Sequence, residues 1–96
     1  MKYILNYKRS PHFEERLRAR HIDPFLVSLC LGKGVAVPKR SQRVEFTLSK
    51  ECIMNAIRQG YILAGDCLCI TSLTVVTKRR MLITVFAKFG DTGIAN

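Results

Sequence analysis

Within the stretch SPHFEERLRARHID, residues 10–23, His12, Arg16 and Arg20 recur at intervals of four. Imidazoles as a class titrate near neutrality, which suits them to give or take a proton at physiological pH. Guanidinium groups alongside can clamp a phosphate in bidentate fashion and stabilise charge that develops on it. Metal-independent RNA cleavage asks for these two abilities. The ribose 2′-hydroxyl itself attacks the adjacent phosphate, so only proton transfer and charge stabilisation remain to be supplied. The same spacing also describes the wet side of an ordinary amphipathic helix, which must turn polar side chains outward. His21, at the helix exit, reads as a partner of the helix dipole.

The other basic residues are clustered: Lys8-Arg9, Lys39-Arg40 with Arg43, and Lys78-Arg79-Arg80 with Lys88. Sixteen Lys and Arg against seven Asp and Glu leave a formal charge of +9 on 96 residues. Such an excess captures polyanions and speeds their arrival but says nothing about fold. One basic cluster alone is ordinarily a solvated surface, and Arg43 shares a strand face with Glu45, a local partner. Taken together, Lys39, Arg40, Arg43, Lys78, Arg79, Arg80 and Lys88 form the candidate phosphate-binding surface. Aromatic side chains make up 8% of the chain, too few for a dedicated base-stacking platform.

Several classes of chemistry are disfavoured. The phosphate-cradling, dinucleotide-binding and nucleophile-elbow glycine motifs do not occur, and carboxylates are too sparse for paired-acid or two-metal catalysis. No cofactor is expected. Of Cys30, Cys52, Cys67 and Cys69, only Cys67 and Cys69 lie close in sequence, so buried thiols are expected rather than a metal site. No apolar run reaches the ~18 residues that a membrane span needs, and the opening MKYILNYKRS is too short for a secretory signal. A cytoplasmic protein with reduced cysteines and no membrane partner is the expectation.

The elements that position these residues follow from caps and periodicity. Tyr3, Leu5 and Tyr7 alternate as a short strand. Ser10-Pro11 is an N-cap followed by a first-turn proline, opening a helix to about His21 with Phe13 and Leu17 inward. Asp23-Pro24 repeats the device for an apolar helix that Gly32 closes, with Leu29 deep in the core. RVEFTLS alternates, with Val44, Phe46 and Leu48 on one face. Ser49 caps a third helix that ends at Gly60. The β-branched stretch from 67 to 88 is expected as a hairpin of Cys67–Val76 and Met81–Lys88. Its connection lacks Asn-Gly or Asp-Gly, so a wide loop displaying Lys78, Arg79 and Arg80 is expected.

The order β-α-α-β-α-β-β predicts an α+β fold, a small antiparallel sheet with the N-terminal helices packed on one face. A single domain over residues 1–90 and a flexible tail over 91–96 follow. Val85 belongs to the core of this arrangement, Arg16 and Lys78 to its surface. If the second helix lay on the surface instead, a homodimer would be expected.

The opening helix also resembles a known family. S-P-H-F-E-E-R-L-R-A-R-H-I-D is similar to the opening pattern of the small bacterial domain-of-unknown-function family 4258, onto which Ser10, His12, Arg16, Leu17, Arg20 and Ile22 map. Val27 of the second helix and the hairpin LTVVTKRRMLITVF fit too, with Phe86 where a Tyr is common. The resemblance spans roughly residues 8–88 and implies a fold similar to the BrnT and RelE-like toxins, several of which cut RNA without a metal. It implies an RNA-binding protein and a ribonuclease of a toxin–antitoxin pair. His12 would then be the acid or base, Arg16 and Arg20 would hold the phosphate, and an acidic antitoxin would be the partner. The alternative is a non-enzymatic module that binds nucleic acid or a partner protein.

Overall fold

Ser10 ties the first helix to the sheet. Its hydroxyl accepts from the Phe13 N–H at 3.1 Å and so caps α1 (Pro11–Ala19), with Pro11 in the first turn where no N–H is needed. The same hydroxyl donates to the Ile83 carbonyl at 3.1 Å, and the Ser10 N–H donates to the Leu82 carbonyl at 3.1 Å. Ile83 is available because strand β5 (Met81–Phe89) bulges there. Leu82 pairs with Thr77 and Thr84 with Val76 of β4 (Ile70–Lys78), leaving Ile83 unpaired between them.

The computed structural model describes residues 7–20, 22–60 and 70–89, and only the backbone of Phe89. Asp23 caps α2 (Pro24–Lys33) by accepting from the Phe25 N–H at 2.9 Å. Ser49 caps α3 (Lys50–Arg58) by accepting from Cys52 N–H at 3.2 Å, and Gly60 leaves that helix with φ +80°. Helix α2 runs past Gly32 and is closed by Gly34. There a Cβ would stand 2.5 Å from the Cys30 carbonyl oxygen and 2.9 Å from that of Thr47. Only glycine allows the helix end to press so closely on β3 (Arg43–Ser49).

The five described strands form one sheet in the order β1-β5-β4-β3-β2, with β1 at Lys8–Arg9 and β2 at Val35–Pro38. The fold is α+β, as expected, but the sheet is mixed rather than antiparallel, because β1 runs parallel to β5. Side-chain alternation reports which face a residue takes and carries no information on the direction of an edge strand. The sheet also holds one strand more than expected. Residues Val35–Pro38 are all exposed and end in proline, as suits an edge strand whose outer hydrogen bonds go unmade. The strand expected around Tyr3–Tyr7 lies outside the described residues except for Tyr7, and so do His21, Cys67, Cys69 and the expected tail.

One face of the sheet carries the core. Phe46–Val75–Val85 and Leu48–Leu73–Ala87 form cross-strand rows. Onto them pack Phe13 and Leu17 of α1, Leu26, Val27 and Cys30 of α2, and Ile53 and Ala56 of α3. Val85 is fully buried, as expected, whereas Leu29 is half-buried at the margin, and Arg16 and Lys78 are half-buried rather than fully exposed. Because α2 contributes to the core, the homodimer expected of a surface helix has no support here.

Candidate nucleic-acid interface

Two turns meet at one end of the sheet. Arg43 opens β3 opposite Lys78, which closes β4, and Lys78 in turn pairs with Met81 at the start of β5. Lys8 of β1 pairs with Met81 as well, and its N–H donates to the Arg80 carbonyl at 2.9 Å. On the other side, the Lys39 N–H donates to Arg43 O at 2.7 Å and closes the β2–β3 connection. Lys8, Arg9, Lys39, Arg40, Arg43, Lys78, Arg79 and Arg80 are thereby gathered at a single edge. All but the half-buried Lys78 are exposed.

Both connections are tight and left-handed. Arg79 (φ 51°) and Arg80 (φ 66°) make a two-residue turn between the paired Lys78 and Met81, not the wide loop expected. The strand pairing of Thr77 and Lys78 continues up to the turn, and Thr77 is buried. Ser41 (φ 60°) and Gln42 (φ 63°) make the second turn. A non-glycine residue in this region costs roughly 1–2 kcal/mol, and a two-residue hairpin turn of this hand favours Asn-Gly. The Arg79 Nε–H donates to Gln42 Oε1, so the two turns are fastened side by side.

Little negative charge offsets the edge. Among the described residues the one ion pair is Arg9–Glu14, at 3.3 Å. The pair expected between Arg43 and Glu45 is not formed. Like charges at one edge repel each other across water, and a bound polyanion relieves that repulsion. Lys88 does not join them. It pairs with Ser72, seven residues along β5 from Met81, which is roughly 23 Å away at strand spacing. Lys8 and Arg9 take its place, brought in by the parallel edge pairing.

The α1 stripe is a separate feature. His12 and Arg20 are exposed and Arg16 is half-buried, and Arg20 lies just past the last helical residue. The Arg16 Nε–H donates to His12 Nε2 at 3.4 Å, a long contact that needs the ring proton on Nδ1. Along the axis His12 and Arg20 stand about 12 Å apart and drift by about 80° around it. A phosphate held by His12 and Arg16 therefore meets Arg20 only where that long side chain reaches back along the helix. The one side-chain contact within the stripe is that of His12 with Arg16, and Arg20 follows a turn later at the C-cap.

The described thiols have structural surroundings. Cys30 of α2 is fully buried against the sheet, with its Sγ–H directed at the carbonyls of Phe46 (3.2 Å) and Leu73 (3.7 Å). Burial pushes its thiol up to about 12, which holds it protonated and unreactive. Among the described residues no three of His, Cys, Asp and Glu converge as a metal-binding group, and no helix is long and apolar enough to cross a membrane. No family model matches the sequence, and no curated protein or solved structure matches it either.

Proposed function

We propose that this is a small RelE/BrnT-like cytoplasmic protein that binds single-stranded RNA by its phosphates at the turn end of the sheet. The observation that carries the reading is the gathering there of eight cations from three distant stretches of chain, with Glu14 the one acid paired to them among the described residues. In this reading an acidic antitoxin protein competes for the same edge. The membership of family 4258 is part of the proposal, supported by the double role of Ser10, which gives the opening motif a structural purpose.

A ribonuclease reading draws on a different observation, the contact of Arg16 with His12. In it the imidazole transfers the proton and Arg16 stabilises the phosphate, while Arg20 guides the strand. Binding is favoured over cleavage because His12 is exposed on an outer helix face, where water competes for every contact.

Titration of a labelled single-stranded RNA by fluorescence anisotropy tests the binding reading. The logarithm of the affinity is expected to fall with the logarithm of salt, by about 0.7 for each phosphate neutralised. Retention that ignores salt, or no retention at low salt, defeats it.

A further inference from the structure

Behind the Arg79–Arg80 turn, on the helix-covered side of the sheet, lies a cleft of about 380 Å³. Val44, Phe46 and Thr77 line it from the sheet, Leu31 from the end of α2, and Tyr7 from the residue before β1, while Arg79 and Arg80 border it. We infer that this cleft takes one nucleotide of the bound strand, its base against Tyr7 and Phe46 and its phosphate on Arg79 and Arg80. The inference rests on the RNA-binding reading and adds to it a site for the base.

The volume falls at the small end of ligand sites and suits one unstacked base with its sugar, not a duplex. Its lining is divided in the same way as a nucleotide. Two rings and two aliphatic side chains offer a surface for a flat aromatic group. The guanidiniums offer a bidentate grip on an anion. Thr77 adds a polar point to the lining, although it is only 4% exposed. Its hydroxyl donates to the Val44 carbonyl at 3.3 Å, so the lone pairs left over accept, as an amino group on a base would require. An alkyl chain would leave that acceptor unmatched.

The backbone provides independent support. Two arginines occupy consecutive left-handed positions where Asn-Gly would form the turn with less strain. Strained positions of this sort persist where side chains serve a ligand. Arg79 is further held in place by its Nε–H bond to Gln42, which leaves its terminal nitrogens for the phosphate.

The test titrates the protein with adenosine monophosphate and separately with inorganic phosphate, following backbone and methyl resonances of Leu31, Val44 and Thr77. Adenosine monophosphate is expected to bind about tenfold or more tightly than phosphate, the worth of one stacked base. Leu31→Trp, which fills the cleft, is expected to erase that preference while leaving affinity for inorganic polyphosphate unchanged. Should Leu31→Trp fail to fold, Arg80→Ala serves instead. It is expected to weaken adenosine monophosphate severalfold and leave adenosine itself unaffected. Equal binding of adenosine monophosphate and phosphate by the wild type, a preference that survives Leu31→Trp, or an adenosine monophosphate affinity unchanged by Arg80→Ala overturns the cleft. A single-stranded RNA run in parallel separates the two proposals. RNA bound without nucleotide preference removes the cleft alone, and nucleotide preference without RNA binding removes the RNA reading alone.

Discussion

The α1 stripe and the turn end of the sheet are both basic, but the chain builds them in opposite ways. One helix makes the stripe. His12, Arg16 and Arg20 share a side because four residues are close to one turn, and nothing else in the fold is needed. The turn end exists only once β1, β3, β4 and β5 are paired in register, because Lys8, Arg43 and Lys78 are far apart in sequence. A periodic row of charge is what any surface helix yields for free. A convergence of charge that depends on long-range pairing, against its own repulsion and with two strained turns, is harder to explain as a by-product. For that reason the turn end is the stronger candidate for function.

The largest expected effect tests this ranking directly. Replacing Lys39, Arg43, Lys78 and Arg80 together by Ala should weaken single-stranded RNA binding by about 10²-fold at low salt. The salt slope should flatten by about 0.7 for each phosphate that is no longer neutralised. Replacing His12, Arg16 and Arg20 together should change that slope by the equivalent of one phosphate at most. Anisotropy titrations between low and moderate salt read both. Equal effects in the two variants would put the stripe and the turn end on the same footing.

The second prediction concerns dependence on the fold. Gly34→Ala drives a Cβ against the carbonyl oxygens of Cys30 and Thr47, both of them backbone, so the end of α2 and strand β2 must shift. Overpacking of this kind costs about 1–3 kcal/mol, measurable in urea. The β2–β3 turn hangs from that strand, so RNA affinity should fall with stability. The surroundings of α1 should be unchanged, with the His12 ring resonances as the readout. Unaltered RNA binding in a clearly destabilised variant would mean that Lys39 and Arg40 lie outside the interface.

This division also explains what can be read from the sequence. The caps at Ser10, Asp23 and Ser49 and the inward rows of β3 are legible because each is set by residues within one turn or one strand. Strand β2 is not, since Val35–Pro38 lacks a polar alternation and ends in a proline that argues against a strand. The Arg79–Arg80 turn carries none of the residues that mark a tight hairpin, so its residue types suggest a longer loop than the fold contains. Charge alone groups Lys88 with the other cations, and only the strand between them reveals the distance. Lys8 and Arg9 are visible as a basic pair, but their place beside Met81 and Leu82 depends on a parallel pairing that no local pattern encodes. Tyr7 reads as a strand residue, Leu31 as helix core and Thr77 as part of the connecting loop, so nothing local signals that the three line one cleft.

A smaller effect separates stability from function within the turn end. Arg79-Arg80→Asn-Gly installs the residues that a left-handed two-residue turn favours, and relief at the two positions should raise stability by about 1–2 kcal/mol. The same change removes two cations and the Arg79–Gln42 tie, so RNA affinity should drop by roughly tenfold, the equivalent of one good charged contact. Stability and binding moving in opposite directions is the signature of strain kept for a ligand. If both fall, the arginines hold the turn together through contacts other than the one with Gln42.

The smallest effect is expected where the chemistry looks most suggestive. His12 is exposed, and its one described contact is the long hydrogen bond from Arg16, so His12→Ala removes little that holds the fold or the strand. RNA affinity should change by less than about twofold, within the range of an ordinary surface substitution. The informative measurement is therefore cleavage, with purified wild type and His12→Ala acting on labelled single-stranded RNA in the presence of a chelator. In a pure binding protein neither cleaves. If the wild type cleaves and His12→Ala slows it by roughly 10²–10⁴-fold at unchanged affinity, the imidazole is the proton-transfer group. The turn end then becomes the part that holds the strand while α1 acts on it. Equal cleavage by both proteins would trace the activity to another group and return His12 to the solvated side of its helix.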